Sequence, residues 1–95
     1  MSNRVMQLFS LYDRTADLFG VLFPAENPAI AIRAFQDSIL KPSTSSDIAN
    51  HPDDFELYLV GEWDHSTGSL IPQPLGKPLI TGTQVKATSH SQVAQ

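Results

Sequence analysis

The sequence predicts an α+β domain of ββαββ order, an antiparallel sheet packed on one central helix. Three observations carry this reading: one amphipathic stretch at 27–41, two apolar segments before it divided by a polar turn, and a strictly alternating segment after it that runs into a second turn.

Val5 to Tyr12 and Leu18 to Phe23 are rich in aromatic and branched aliphatic side chains, and Asp13-Arg14-Thr15-Ala16-Asp17 separates them, which predicts a hairpin. Val5, Phe9 and Leu11 share one face of the first strand, while Met6, Leu8 and Tyr12 make the other face apolar too, the pattern of a central or doubly covered strand. Gly20 predicts a bulge or a close backbone approach, and Pro24 is expected to end the second strand.

Asn27 is suited to cap a helix because its side-chain oxygen can accept from a free first-turn N–H, and Pro28 suits the first helical position, where no N–H partner is needed. Pro28, Ala31, Ile32, Phe35 and Ile39 then fall on one stripe, with Arg33, Asp37 and Lys41 on a polar ridge opposite. Pro42 disfavours helical geometry at Lys41, so the helix should stop near Leu40. Ile30 projects near the polar ridge.

Pro42 to Asn50 is a polar loop that Ile48 should pin to the body, and His51-Pro52-Asp53-Asp54 is a turn with its backbone set by Pro52. From Phe55 to Trp63 the alternation places Phe55, Leu57, Leu59 and Trp63 on a buried face and Glu56, Tyr58, Val60 and Glu62 on the other. Asp64 to Ser69 turns the chain, Leu70-Ile71 returns it, and Pro72 assigns that return to an edge. The two turns are alike: Tyr12-Asp13 opens one and Trp63-Asp64 the other. The domain is expected to span 1–80, ending in a proline-rich arm with Pro72, Pro74 and Pro78, and 81–95 is expected to be a flexible C-terminal tail because it has little to bury.

With 95 residues there is room for one core. A net charge of −4 and only six Lys and Arg argue against a general coat for nucleic acid, which depends on many cations neutralising phosphates. Without cysteine there is no disulfide framework or thiolate metal site, and no stretch reaches the ~20 apolar residues of a membrane span. These features predict a cytosolic protein with no membrane contact. Edge strands and proline-bearing arms on so small a domain favour a homodimer.

His51 with Asp53 and Asp54, and Asp64 with His65, are possible metal donors, but no helical His pair or Glu-x-x-His element holds them on one rigid face. A nuclease using Asp53, Asp54 and Asp64 to hold a divalent cation would need those carboxylates brought together. Ser43, Ser45 and Ser46 lie in a loop without a strained elbow or a placed base. The expectation is therefore no enzyme, no metal and no cofactor. For nucleic acid, the candidate set is Arg14, Arg33 and Lys41 with Tyr12 as a stacking ring; Arg4 and Tyr58 are further candidates. Against it, Asp37 can pair with both Arg33 and Lys41 along the helix.

Leu11-Tyr12-Asp13, Ala31-Ile32-Arg33-Ala34-Phe35, His51-Pro52-Asp53-Asp54-Phe55-Glu56-Leu57 and Gly61-Glu62-Trp63-Asp64 with Thr67-Gly68, in that order and spacing, resemble the small nonstructural protein of gokushoviruses. Those are microviruses that infect bacteria and carry single-stranded DNA genomes. The resemblance spans roughly residues 5 to 72 and departs at the longer polar arm after Ile71. It implies a bacteriophage accessory factor in viral single-stranded DNA synthesis and packaging, by likeness to the small C protein of other microviruses, and it brings no catalytic residues. What it implies further is action in the host bacterial cytoplasm, on single-stranded DNA directly or on replication or procapsid proteins as an adaptor without DNA contact.

Overall fold

The computed structural model describes residues 5–40 and 47–93, with side chains through Thr88. Six strands form one antiparallel sheet: β1 (Val5–Asp13), β2 (Leu18–Phe19), β3 (Phe23–Ala25), β4 (Phe55–Asp64), β5 (Ser69–Pro72) and β6 (Ile80–Thr81). The helices are α1 (Pro28–Leu40), the single-turn α2 (Asp47–Asn50) and α3 (Gly82–Val93), with a 3-10 turn at Pro52–Asp54. The α+β class and antiparallel sheet are as the sequence predicts.

The long strands β1 and β4 pair along their whole lengths at the centre. Each is flanked on its outer side by two short strands, β2 and β3 beside β1, β5 and β6 beside β4. The chain thus runs twice through a long strand, a turn, a broken return strand and a helix. The break beside β1 falls at residues 20–22, where the Gly20 N–H still donates to the Leu11 carbonyl. The break beside β4 is the proline-bearing arm. Pro24 continues rather than ends its strand, opposite Leu8 on the sheet edge, where a missing N–H costs no ladder bond.

The two turns repeat the same chemistry. In each, four residues separate the paired ends, Asp13 from Leu18 and Asp64 from Ser69. The Asp13 carboxylate accepts from the backbone N–H of Thr15 and Ala16, and Asp64 accepts from the N–H and hydroxyl of Ser66. Those bonds hold the Asp64 carboxyl below its ordinary pKa, the Ser66 hydroxyl contributing most. Each turn closes on a left-handed residue, Asp17 at φ 58° and Gly68 at φ 71°, whose N–H returns to the opening Asp carbonyl.

Leu8 pairs with Gly61 and Phe9 with Leu59, so Val60 is an extra, bulged residue. The bulge reverses the alternation beyond it. Phe55, Leu57 and Leu59 face the helices as predicted, but Trp63 goes to the opposite face, with Met6 across from it. Unbroken alternation would have kept Trp63 with Leu57.

The core joins Phe9 and Leu57 of the sheet to Ala25, to Ala31, Phe35 and Ile39 of α1, and to Val85 of α3. Asn27 caps α1 through its side chain to the Ile30 N–H, as its position predicts, and Ile48 packs against the core from α2. One helix is not the whole cover: α3 shares the layer with α1. Of the residues expected to be a flexible tail, 81–95, Gly82–Val93 are helical instead, with Val85 only 1% exposed. Two features support this helix: Thr81 and Gln84 exchange backbone-to-side-chain bonds in a capping box, and Val85 anchors it in the core.

Candidate functional site

With α1 and α3 packed on the Phe9 and Leu57 side, the other sheet face is left without a helix among the described residues. Pairing register assigns to it Met6, Leu8, Ser10 and Tyr12 of β1, Glu56, Tyr58 and Trp63 of β4, and Phe19 of β2.

At one end of this face three rings come together. Tyr12 and Phe19 are cross-strand partners with ring centroids 4.9 Å apart, Phe19 lies 5.5 Å from Tyr58, and Tyr12 meets Tyr58 edge-on at 6.4 Å. Both tyrosine hydroxyls donate to carboxylates, Tyr12 to Asp17 of the adjoining turn and Tyr58 to Glu56 two residues back on the same face. The bond to Asp17 is the main reason the Tyr12 pKa lies above its ordinary 10.0, while Tyr58 is raised chiefly by burial and then by Glu56. The cluster is therefore a neutral aromatic surface edged by two acids.

Beside it runs a groove of about 380 Å³ with Phe19 and Leu22 along one wall, Pro72 and Leu75 along the other, and Ser10 and Val60 at its floor. Ser10 is 1% exposed and donates to the Gly20 carbonyl, which ties the broken β2–β3 return to the sheet. Another cleft, of about 460 Å³, lies on the helix side near β2, lined by Leu11, Leu18, Phe23, Ile48 and Phe55.

The residues proposed from sequence for nucleic acid do not converge. Tyr12 is on the open face. Arg14 turns instead to the 3-10 turn, its backbone N–H donating to Asp54 and its guanidinium to the Asp53 carbonyl at 3.4 Å. Arg33 is exposed on α1, in the layer on the other side of the sheet, and Lys41 lies outside the described residues, as do Arg4 and the three loop serines. Phe19 and Glu56 were missed as site residues. The period-two pattern puts Glu56 and Tyr58 on one face, but nothing local tells that Phe19 crosses to meet them.

The carboxylates considered for a metal are separated. Asp54 and Asp64 bracket β4, so roughly 30 Å lies between them at ~3.3 Å per residue. Asp53 accepts from the Thr83 hydroxyl at 2.8 Å and from Lys86 at 2.9 Å, bonds that hold its pKa below the ordinary 3.8, Lys86 contributing most. Its position makes it a clasp between the 3-10 turn and α3. Among the described residues no group of three His, Asp or Glu is placed to hold a metal ion, and no described helix is long and apolar enough to cross a membrane.

The fold thus defines a class: a two-layer α+β domain with helices on one side of an antiparallel sheet and an aromatic, acid-edged surface on the other. Comparison with known proteins makes it specific, because residues 6–85 match the family described as Phage ORF5 protein, and the chain belongs to that family. It is 32% identical over 73 residues to Protein ORF5 of Chlamydia phage 1, a gokushovirus, the match covering 75% of this chain and 76% of that protein. The likeness to a small gokushovirus protein read from the sequence is borne out. No solved structure matches the chain.

Proposed function

We propose that this phage protein is a non-enzymatic accessory factor in viral single-stranded DNA synthesis and packaging, acting in the host bacterial cytoplasm by docking a partner on the open sheet face. The observation that carries the reading is that face itself: three clustered rings beside an apolar groove, on the side of the sheet that the described helices leave bare. Exposed aromatic surface next to a groove is the ordinary anatomy of a binding site. Membership of a phage family supplies the viral setting.

A protein partner from the replication or procapsid machinery suits the surface best, because Asp17 and Glu56 at its edge repel phosphate. A second reading, direct contact with single-stranded DNA, has the three rings in its favour, since bases stack on aromatic side chains with little regard to sequence.

The test is a phage carrying Tyr58→Ala, with circular dichroism of the purified variant as the check on folding. The expected result is a loss of packaged single-stranded DNA relative to duplex viral DNA. Normal packaging with a folded variant overturns the proposal. A salt titration with single-stranded oligonucleotides, with and without magnesium, separates the mechanisms: affinity falling steeply with salt and dependent on Tyr58 supports direct DNA contact. Magnesium-dependent cleavage lost in Asp53→Ala would overturn the non-enzymatic reading.

A further inference from the structure

We infer that the Tyr12, Phe19 and Tyr58 surface takes an arginine-bearing segment of a protein partner, with a guanidinium laid on a tyrosine ring and bonded to Asp17 or Glu56. The inference rests on the open face being the docking surface and adds the chemistry of what docks there.

Three observations converge on arginine. Three rings, each with an electron-rich face, are gathered here at an angle to one another, Tyr12 and Phe19 at 4.9 Å and 48° and Phe19 and Tyr58 at 5.5 Å and 67°. Guanidinium planes stack on such faces, and arginine does so more readily than lysine because it is planar and more weakly hydrated. The two carboxylates lie within bonding distance of the tyrosine hydroxyls and so at the edge of the same rings, each retaining acceptor capacity beyond the single bond from tyrosine. A stacked guanidinium projects five N–H donors in its own plane, the geometry a carboxylate at the ring edge receives.

Three of the described cations are directed elsewhere. Arg14 and Lys86 both bond to Asp53 on the 3-10 turn, and Arg33 stands on the helix layer. The acidic edge of the tyrosine cluster is thus not neutralised by these groups, and the whole chain carries −4. The adjoining groove, with Leu22 and Leu75 facing each other across Val60, gives the neighbouring aliphatic residues of such a segment a place to lie.

The experiment uses the full chain and three fluorescent probes at low and moderate salt: a short peptide alternating glycine with arginine, the same peptide with lysine, and an oligothymidylate. The arginine peptide should bind more tightly than the lysine peptide and weaken with salt. Asp17→Asn and Glu56→Gln should each loosen it roughly 2- to 5-fold, the range for one exposed charged or ring contact. Tyr58→Phe keeps the ring and releases Glu56, so binding should be retained or tightened, which separates a ring contact from a hydroxyl contact. Failure of the arginine peptide to bind at low salt, or binding by both acid variants as tight as that of the parent, overturns the inference. Oligothymidylate binding lost in Tyr58→Leu would overturn the cationic partner while leaving the open face as the docking surface. Normal phage packaging with that face altered would remove the reading on which the inference rests.

Discussion

Gly82 lies against the backbone of Pro52 so closely that a methyl group on its Cα would stand 1.7 Å from the Pro52 carbonyl oxygen. Backbone cannot yield as a flexible side chain would. Gly82→Ala should therefore destabilise the protein by about 1–3 kcal/mol, the usual range for overpacking. Chemical denaturation measures the loss, and hydrogen exchange should show it concentrated in α3. An unchanged midpoint with unchanged protection would mean that α3 does not dock on the 3-10 turn.

Phe35 is 3% exposed and occupies the middle of the buried α1 face between Ala31 and Ile39. Phe35→Ala should cost about 3–5 kcal/mol, as deletion of a large core ring does. Thermal or denaturant unfolding checks it, and an unshifted transition would contradict the packing of α1 on the sheet.

How far the sequence carries the fold can be followed through these residues. The Phe35 face was legible because its spacing repeats at the helical period, and Asn27-Pro28 marks the start chemically. The Gly82 helix was not, since among its described side chains Val85 is the one deeply buried anchor, and a single anchor has no period. Its legible signal was Thr81-Gly82-Thr83-Gln84, a capping-box spacing in a stretch whose polarity predicts a tail. The bulge at Val60 was invisible for a different reason: alternation continues through it in the sequence, and only the pairing of Leu8 with Gly61 reveals the slip. The candidate site fared similarly. Tyr12 was recognisable as a stacking ring, but its neighbours arrive from β2 and β4, and Arg14 and Arg33 are drawn away by contacts and topology that no local pattern encodes.

The matched turns give a specific test. Gly68 occupies the left-handed position that Asp17 fills in the other turn, with nothing near where a Cβ would be added. Gly68→Val should cost about 1–2 kcal/mol or slightly more, because the penalty is backbone strain and a branched side chain adds to it. Gly68→Asp should cost less, short polar residues being better tolerated there. Equal losses in denaturant unfolding would show that the two turns are not equivalent in backbone terms.

The tyrosine pair predicts behaviour in alkali. Tyr12 and Tyr58 both lie above the ordinary 10.0 in the folded chain, so the folded state holds these protons more tightly than the unfolded state. Their contribution to stability is therefore fully present below pH 10.0 and is lost as pH rises through the folded values. Absorbance titration should show both phenols ionising late, with Asp17→Asn bringing Tyr12 down and Glu56→Gln acting mainly on Tyr58. Normal titration of both in the folded protein would mean that neither hydroxyl is held by its acid.

Arg33 offers the clearest separation of the two partner chemistries. It stands exposed on α1, with the sheet between it and the Tyr12 cluster, and charges beyond a Debye length of about 8 Å are largely screened at physiological salt. Arg33→Glu should therefore leave binding of an arginine peptide to the open face within about 2-fold of the parent, a bound set by the small worth of an exposed charge. Arg14→Glu is a poorer probe, since its guanidinium also holds the Asp53 carbonyl and its loss would disturb the clasp to α3. If the protein instead holds DNA across its helix layer, Arg33→Glu should weaken oligothymidylate and reduce the salt slope by about 1, as loss of a phosphate contact does. A salt titration of the parent and Arg33→Glu with both probes decides it: a changed slope for DNA, with the peptide unaffected, would place a phosphate contact on α1 and return Arg33 to the binding surface.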